Sequence, residues 1–133
     1  MARYTAIAGV GHAVLRLLDD HFPRTELANP AFTLYHPVNF EKPMDAGFSL
    51  LLYHVGVASP QRSQVRTSAE GMRYRPSLPV DLRFLLTAWA GDAQRQMRML
   101  GWAMRFLEDH AVLPAGVLNA YQADTFRPEE VVE

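Results

Sequence analysis

One stretch constrains the fold more than any other. Gly47 is followed by Phe48-Ser49-Leu50-Leu51-Leu52-Tyr53-His54-Val55-Gly56-Val57, a run that is apolar on both faces of a pleated strand. A half-solvated strand alternates apolar and polar residues, whereas a strand covered on both sides has no polar face to present. The run therefore predicts the central strand of a sheet. It is far short of the roughly 18 to 20 residues that span a bilayer. His54 inside such a strand reads as a hydrogen-bonded core histidine rather than a metal ligand.

The other elements are read around that strand. Leu78 to Trp89 alternates, with Val80, Leu82, Phe84, Leu86 and Ala88 facing one way and Asp81, Arg83, Leu85, Thr87 and Trp89 the other, as in a second long strand. Phe32 to His36 lies between Pro30 and Pro37, which places a short strand at a sheet edge, where a missing amide costs least. From Tyr4 to Phe22, Ile7, Val10, Val14, Leu15, Leu17 and Leu18 recur at helical spacing, and Pro23 ends the helix. Gly9 and Gly11 each cost about 1 kcal/mol relative to Ala there, so the first turns either fray or pack closely on a neighbour. After Gly91, Asp92 is the expected N-cap of a second helix with Met97, Leu100, Met104, Leu107 and Ala111 on one stripe and Arg95, Arg98, Arg105 and Glu108 elsewhere, stopped by Pro114 and Gly116. Val117 to Tyr121 predicts a further turn of helix, and Phe126 to Val132 the start of another element. Asn39 to Asp45 reads as a loop, and Ser59 to Ser77 as a long loop or hairpin without periodicity. The predicted fold class is α+β, a small mixed sheet packed with two long helices in one domain.

Composition narrows function by exclusion. The 133 residues contain no Cys, which removes disulfides, thiol catalysis and thiolate metal sites. Thirteen Lys and Arg against fourteen Asp and Glu give a net charge of −1, so no global positive field invites nucleic acid or an anionic membrane. The N-terminal stretch, broken by Gly9, Gly11 and His12, lacks a signal-peptide core, and a cytosolic protein is expected. His12, His21, His36, His54 and His110 are scattered without ligand spacing, so no metal site is expected. No serine sits in a Gly-x-Ser-x-Gly elbow. Gly9-Val10-Gly11 lacks the preceding strand and following Lys of a phosphate loop. Neither an enzyme nor a cofactor site is expected.

The informative polar feature is a cluster of Arg62, Arg66, Arg73, Arg75 and Arg83 against Glu70 and Asp81, a local balance of +3. Three readings stay open: a solvated loop, a protein interface in which arginine forks meet carboxylates, and a nucleic-acid or small-ligand module in which Tyr74 stacks. The second helix is also richer in large apolar residues than one buried stripe needs. Met97, Met99, Met104, Trp102 and Phe106 cover more than one side of it; either most of them are core, since Met fills irregular gaps well, or the helix is buried on a second side by a neighbouring subunit.

Three segments together carry a resemblance: Gly47-Phe48-Ser49-Leu50-Leu51-Leu52-Tyr53-His54-Val55; Pro76-Ser77-Leu78-Pro79-Val80-Asp81-Leu82-Arg83-Phe84-Leu85-Leu86-Thr87-Ala88-Trp89-Ala90; and Leu100-Gly101 with Asp109-His110-Ala111-Val112-Leu113-Pro114. The chain resembles the N-terminal domain of the tail cap, or terminator, proteins of extracellular contractile injection systems of the Photorhabdus virulence cassette and antifeeding prophage type. The resemblance implies a subunit that assembles with itself into a hexameric ring at the baseplate-distal end of the particle. Such a ring stops polymerisation and joins the inner tube protein to the sheath protein. It implies no catalytic residue and neither nucleic-acid binding nor membrane insertion, with residence in the bacterial cytoplasm during assembly and afterwards in the particle. On that reading Arg62, Arg66, Arg73, Arg75, Trp102 and Phe106 are expected at subunit, tube or sheath contacts. The family pattern continues into a further helix and a terminal strand, so residues 1–133 are expected to form one domain whose C-terminal strand is lacking or supplied by a neighbour.

Overall fold

The structure, a computed structural model, describes residues 4–57, 79–121, 126 and 131–133, and the backbone alone at 66–67 and 73–74. In chain order the elements are α1 (Ala6–His21), β1 (Ala31–Leu34), a 3₁₀ turn (Pro37–Glu41), β2 (Gly47–Val57), β3 (Arg66–Thr67) and β4 (Arg73–Tyr74). These are followed by β5 (Val80–Trp89), α2 (Ala93–Asp109), β6 (Leu113–Pro114), α3 (Ala115–Tyr121) and β7 (Val131–Val132). The fold class is α+β.

The main sheet has the order β1-β2-β5, with β1 parallel and β5 antiparallel to β2. The Gly47–Val57 run is therefore the central strand, but only its first half is covered on both faces. Residues 47–50 are buried, and Tyr53, His54, Val55 and Val57 are exposed. On one face the helices cover Phe48 and Leu50. On the other, the β1–β2 crossover folds back: Tyr35, Phe40 and Trp89 meet ring to ring at 5.2 to 6.4 Å. Beneath them the fully buried Ser49 hydroxyl accepts from Trp89 Nε1 at 2.8 Å. His54 is thus no core histidine. It lies in the part of β2 that runs past both covering layers.

A bulge at Tyr53 sets what that projecting half presents. Leu52 pairs with Phe84, but His54, not Tyr53, pairs with Arg83. One extra residue reverses the alternation, so Val55 and Val57 share the helix-side face with Leu82 and Val80. Both valines lie beyond the reach of the helices and are about half exposed.

α1 runs against β2, since Gly11 abuts Leu34 and Phe84 while Phe22, just past the helix, meets Phe48. A Cβ at Gly11 would stand 3.1 Å from Leu34 Cδ2. The glycine therefore serves close packing rather than fraying, and it is buried with Gly9 and Val10. α1 bridges two clusters. Val10, Ala13 and Leu17 pack with Leu113, Ala115, Leu118 and Phe126. Leu18 and Phe22 pack with Phe48, Ala88, Met99 and Ala103. In the second cluster the rings of Phe22 and Trp102 meet edge to face at 5.1 Å, a geometry that adds about 0.5 to 1.5 kcal/mol to the burial of each pair.

Asp92 caps α2 as expected, its Oδ1 accepting from the Arg95 backbone at 2.8 Å. The side of α2 that faces the core differs from the expected stripe. Met99 and Ala103 are buried, with Trp102, Phe106 and Leu107 packed around them, whereas Met97 is 72% and Met104 64% exposed. Ala111 lies past the helix end, which falls at Asp109. The expected stripe fails because apolar residues lie on both sides of this helix, and periodicity does not say which side meets the sheet. The C-terminal segment, expected only to begin an element, places Phe126 in the core. Asn119 clamps it there by exchanging hydrogen bonds with the Phe126 backbone at 2.8 and 3.0 Å. Val132 and Val131 pair with Leu113 and Pro114 in a ladder separate from the main sheet.

Candidate assembly surfaces

The candidate surfaces lie where the main sheet stops. Among the described residues no strand pairs with the outer side of β1 or of β5, so the sheet has two open edges. Unpaired edges expose a row of backbone donors and acceptors, and soluble proteins blunt them with prolines, charges or short length. β1 is short and bracketed by Pro30 and Pro37. β5 is different: Asp81 and Arg83 mark one end, but Phe84 to Trp89 carries neither charge nor proline.

Two apolar grooves lie between the helices and the sheet, one beside the open β5 edge and one across the sheet face at the end of β1. Beside β5, Leu86, Ala88, Met97 and Leu100 line a groove of about 200 Å³. Beyond the end of β1, Ile7, Gly11, Leu34, Leu50, Leu52 and Phe84 line one of about 260 Å³. The exposed side of α2 continues the first groove through Met104. Gly101 stands on the same exposed side, with none of the described residues within 4 Å of where a side chain would begin. A third surface is the projecting half of the β2–β5 ribbon, with Val55, Val57 and Val80 on one face and Tyr53 and Leu85 about half exposed on the other.

The residues nominated from sequence divide among these features. Arg66 and Arg73 lie in a short antiparallel pairing, Arg66 opposite Tyr74 and Thr67 opposite Arg73. Part of the 59–77 segment is therefore an antiparallel pairing, and in the chain it lies between the two strands of the ribbon. Arg62 and Arg75 lie outside the described residues. Trp102 and Phe106 do not form the outer side of α2. Trp102 packs on Phe22, Phe48 and Phe106, and Phe106 stacks on His110 at 4.3 Å. The second apolar side anticipated for this helix is carried by Met97, Leu100 and Met104. The excess of apolar residues signalled that side, and only the packing shows which residues form it.

Several polar side chains hold elements together or finish helix ends. Arg98 pairs with Glu26 at 2.9 Å and ties α2 to the segment after α1. Asp19 pairs with Arg16 and Arg24 at the end of α1. Tyr121 donates to Asp20 Oδ2 at 2.7 Å, and that bond, then burial, then the aspartate's charge raise the phenol pKa above its ordinary value. Nδ1 of His21 and of His110 donates to the carbonyl four residues earlier, at 2.9 Å in each case, finishing the ends of α1 and α2. Among the described residues no three His, Asp or Glu side chains converge as metal ligands would, and no helix is long and apolar enough to cross a membrane.

These features define a class: a small α+β domain whose prominent surfaces are open strand edges and apolar grooves. The family comparison makes it specific. The Pvc16 N-terminal domain model matches residues 9–132, and the chain belongs to that family. Membership makes it a component of the Photorhabdus virulence cassette type of contractile injection system. No curated protein and no solved structure matches the chain.

Proposed function

We propose that the protein is a structural cap of a contractile injection particle. Copies form a six-fold ring on the baseplate-distal end, stop polymerisation, and join the last layer of inner tube to the last layer of sheath. The observation that carries the reading is the family match over residues 9–132. What the surfaces add is means: a ring subunit needs at least two distinct contacts to its neighbours and others along the particle axis. Open edges on both sides of the sheet suit the first need, and the projecting ribbon with its arginine-bearing hairpin suits the second. The hairpin's basic residues are proposed to meet carboxylates of tube or sheath, where arginine forks bind bidentately.

Deletion of the gene tests this. Electron microscopy of the resulting particles is expected to show tails of abnormal length or uncapped ends. Particles of normal length with normal ends overturn it. Most of segment 59–77 lies outside the described residues, and the net charge of −1 weighs against a nucleic-acid module built on it.

A further inference from the structure

We infer that copies of this chain join head to tail through opposite edges of the main sheet. The β5 edge, with Met97, Leu100 and Met104, seats on the β1 edge of a second copy, next to the groove formed by Ile7, Leu34 and Leu52. The inference deepens the ring reading and rests on it for the repetition of the contact. It goes further by naming the two surfaces.

The occupant is argued from the pairing of the surfaces. A partner of another kind needs one docking patch. Here two strand edges, both unpaired among the described residues, occupy opposite sides of one sheet; an apolar groove lies beside the β5 edge, and another crosses the sheet face at the end of β1. Two non-equivalent patches that complement each other are what head-to-tail repetition requires, and such contacts close into a ring or run on as a filament. Strand direction agrees. β1 is parallel and β5 antiparallel to β2, so a copy displaced sideways along the sheet brings its β1 antiparallel to the first copy's β5. Antiparallel pairing is the more stable arrangement per residue.

The side chains agree as well. Met97 and Met104 are exposed at 72% and 64%, with Leu100 between them at 37%. Across the sheet Leu34 is 45% and Ile7 38% exposed. Exposed methionines suit a surface that adapts to its partner. Gly101, inside a helix and exposed, forgoes about 1 kcal/mol of helix propensity relative to Ala. Among the described residues no contact requires its lack of a side chain, whereas close approach by another backbone does. A net charge of −1 leaves little repulsion between copies.

Two charged double variants of the purified chain test the geometry: Met97→Glu with Met104→Glu, and Ile7→Glu with Leu34→Glu. All four positions are exposed, so both variants are expected to keep the wild-type circular dichroism and a cooperative melt. Analytical ultracentrifugation at high protein concentration is expected to show assemblies larger than a dimer for wild type and monomers for each variant alone. An equimolar mixture is expected to stop at a one-to-one dimer, because each variant retains one intact surface. Folded variants that assemble like wild type overturn the inference, as does a wild-type chain that stays monomeric. So does an Ile7→Glu, Leu34→Glu variant that dimerises alone, which assigns α2 to a two-fold contact with itself, or a mixture that remains monomeric. None of these readouts involves tube or sheath, so they separate this inference from the position of the protein in the particle.

Discussion

Gly47 has φ 137°, and a Cβ there would fall 2.0 Å from the carbonyl oxygen of Ala31, its partner in the parallel β1–β2 ladder. Neither the backbone conformation nor the space admits an L side chain. Gly47→Ala is expected to destabilise the domain by about 3 kcal/mol or more, read as a large fall in the urea midpoint. A variant within experimental error of wild type would contradict the geometry of the β1–β2 start. Nothing in the sequence singles out Gly47 from the other glycines, because its constraint comes from a strand sixteen positions earlier. Tyr121 carries a pH prediction. Its pKa is raised in the fold through the bond to Asp20, so the folded chain holds the phenol proton more tightly than the unfolded chain. The stabilisation is whole below the unfolded value near 10 and is lost as pH rises through the folded value. Tyr121→Phe is expected to flatten the alkaline fall in melting temperature. Because that bond lies at the exposed surface, little change is expected at neutral pH. An unchanged alkaline slope would contradict the bond.

At the scale of elements, the sequence is most legible where a pattern has one explanation. Pro23, Asp92 and the prolines at 30 and 37 mark ends through backbone geometry that any fold must respect. The end of α1, the start of α2 and the edge position of β1 follow from them. Legibility fails where two burial patterns share one composition. The apolar run of β2 is buried on both faces only through Leu50; beyond it the same kind of residue lines an exposed ribbon, and a bulge at Tyr53 turns its valines over. α2 fails in the same way, since Met97, Leu100 and Met104 form as good a helical stripe as Met99, Trp102 and Phe106. Only contact with Phe22 and Phe48 on other elements decides between them. This supplies a test. Met99→Ala empties a fully buried site and is expected to cost about 2 to 5 kcal/mol. Met97→Ala is expected to stay within about 0.5 kcal/mol. Chemical denaturation of the two variants measures the difference, and equal losses would contradict the orientation of α2.

For the whole molecule, the prominent features among the described residues are contact surfaces: two open strand edges and the apolar grooves near them. The candidate surfaces were partly legible. The arginine cluster and the excess of apolar residues on α2 were visible as composition. That β5 is an open edge was not, because strand order depends on which strands find each other, and the alternation of β5 is the same in a central or an edge strand. Near-neutral charge also gains meaning at this scale. Segment 62–83 carries +3 within a chain of net −1, so the rest carries −4, and the chain is basic toward its hairpin segment and acidic elsewhere. The central claim is that this family member caps the particle, and position tests it most directly. Electron microscopy of intact particles carrying an epitope tag on this chain is expected to show label, averaged as a six-fold ring, at the end away from the baseplate. Label at the baseplate, or distributed along the tube or sheath, would contradict the account.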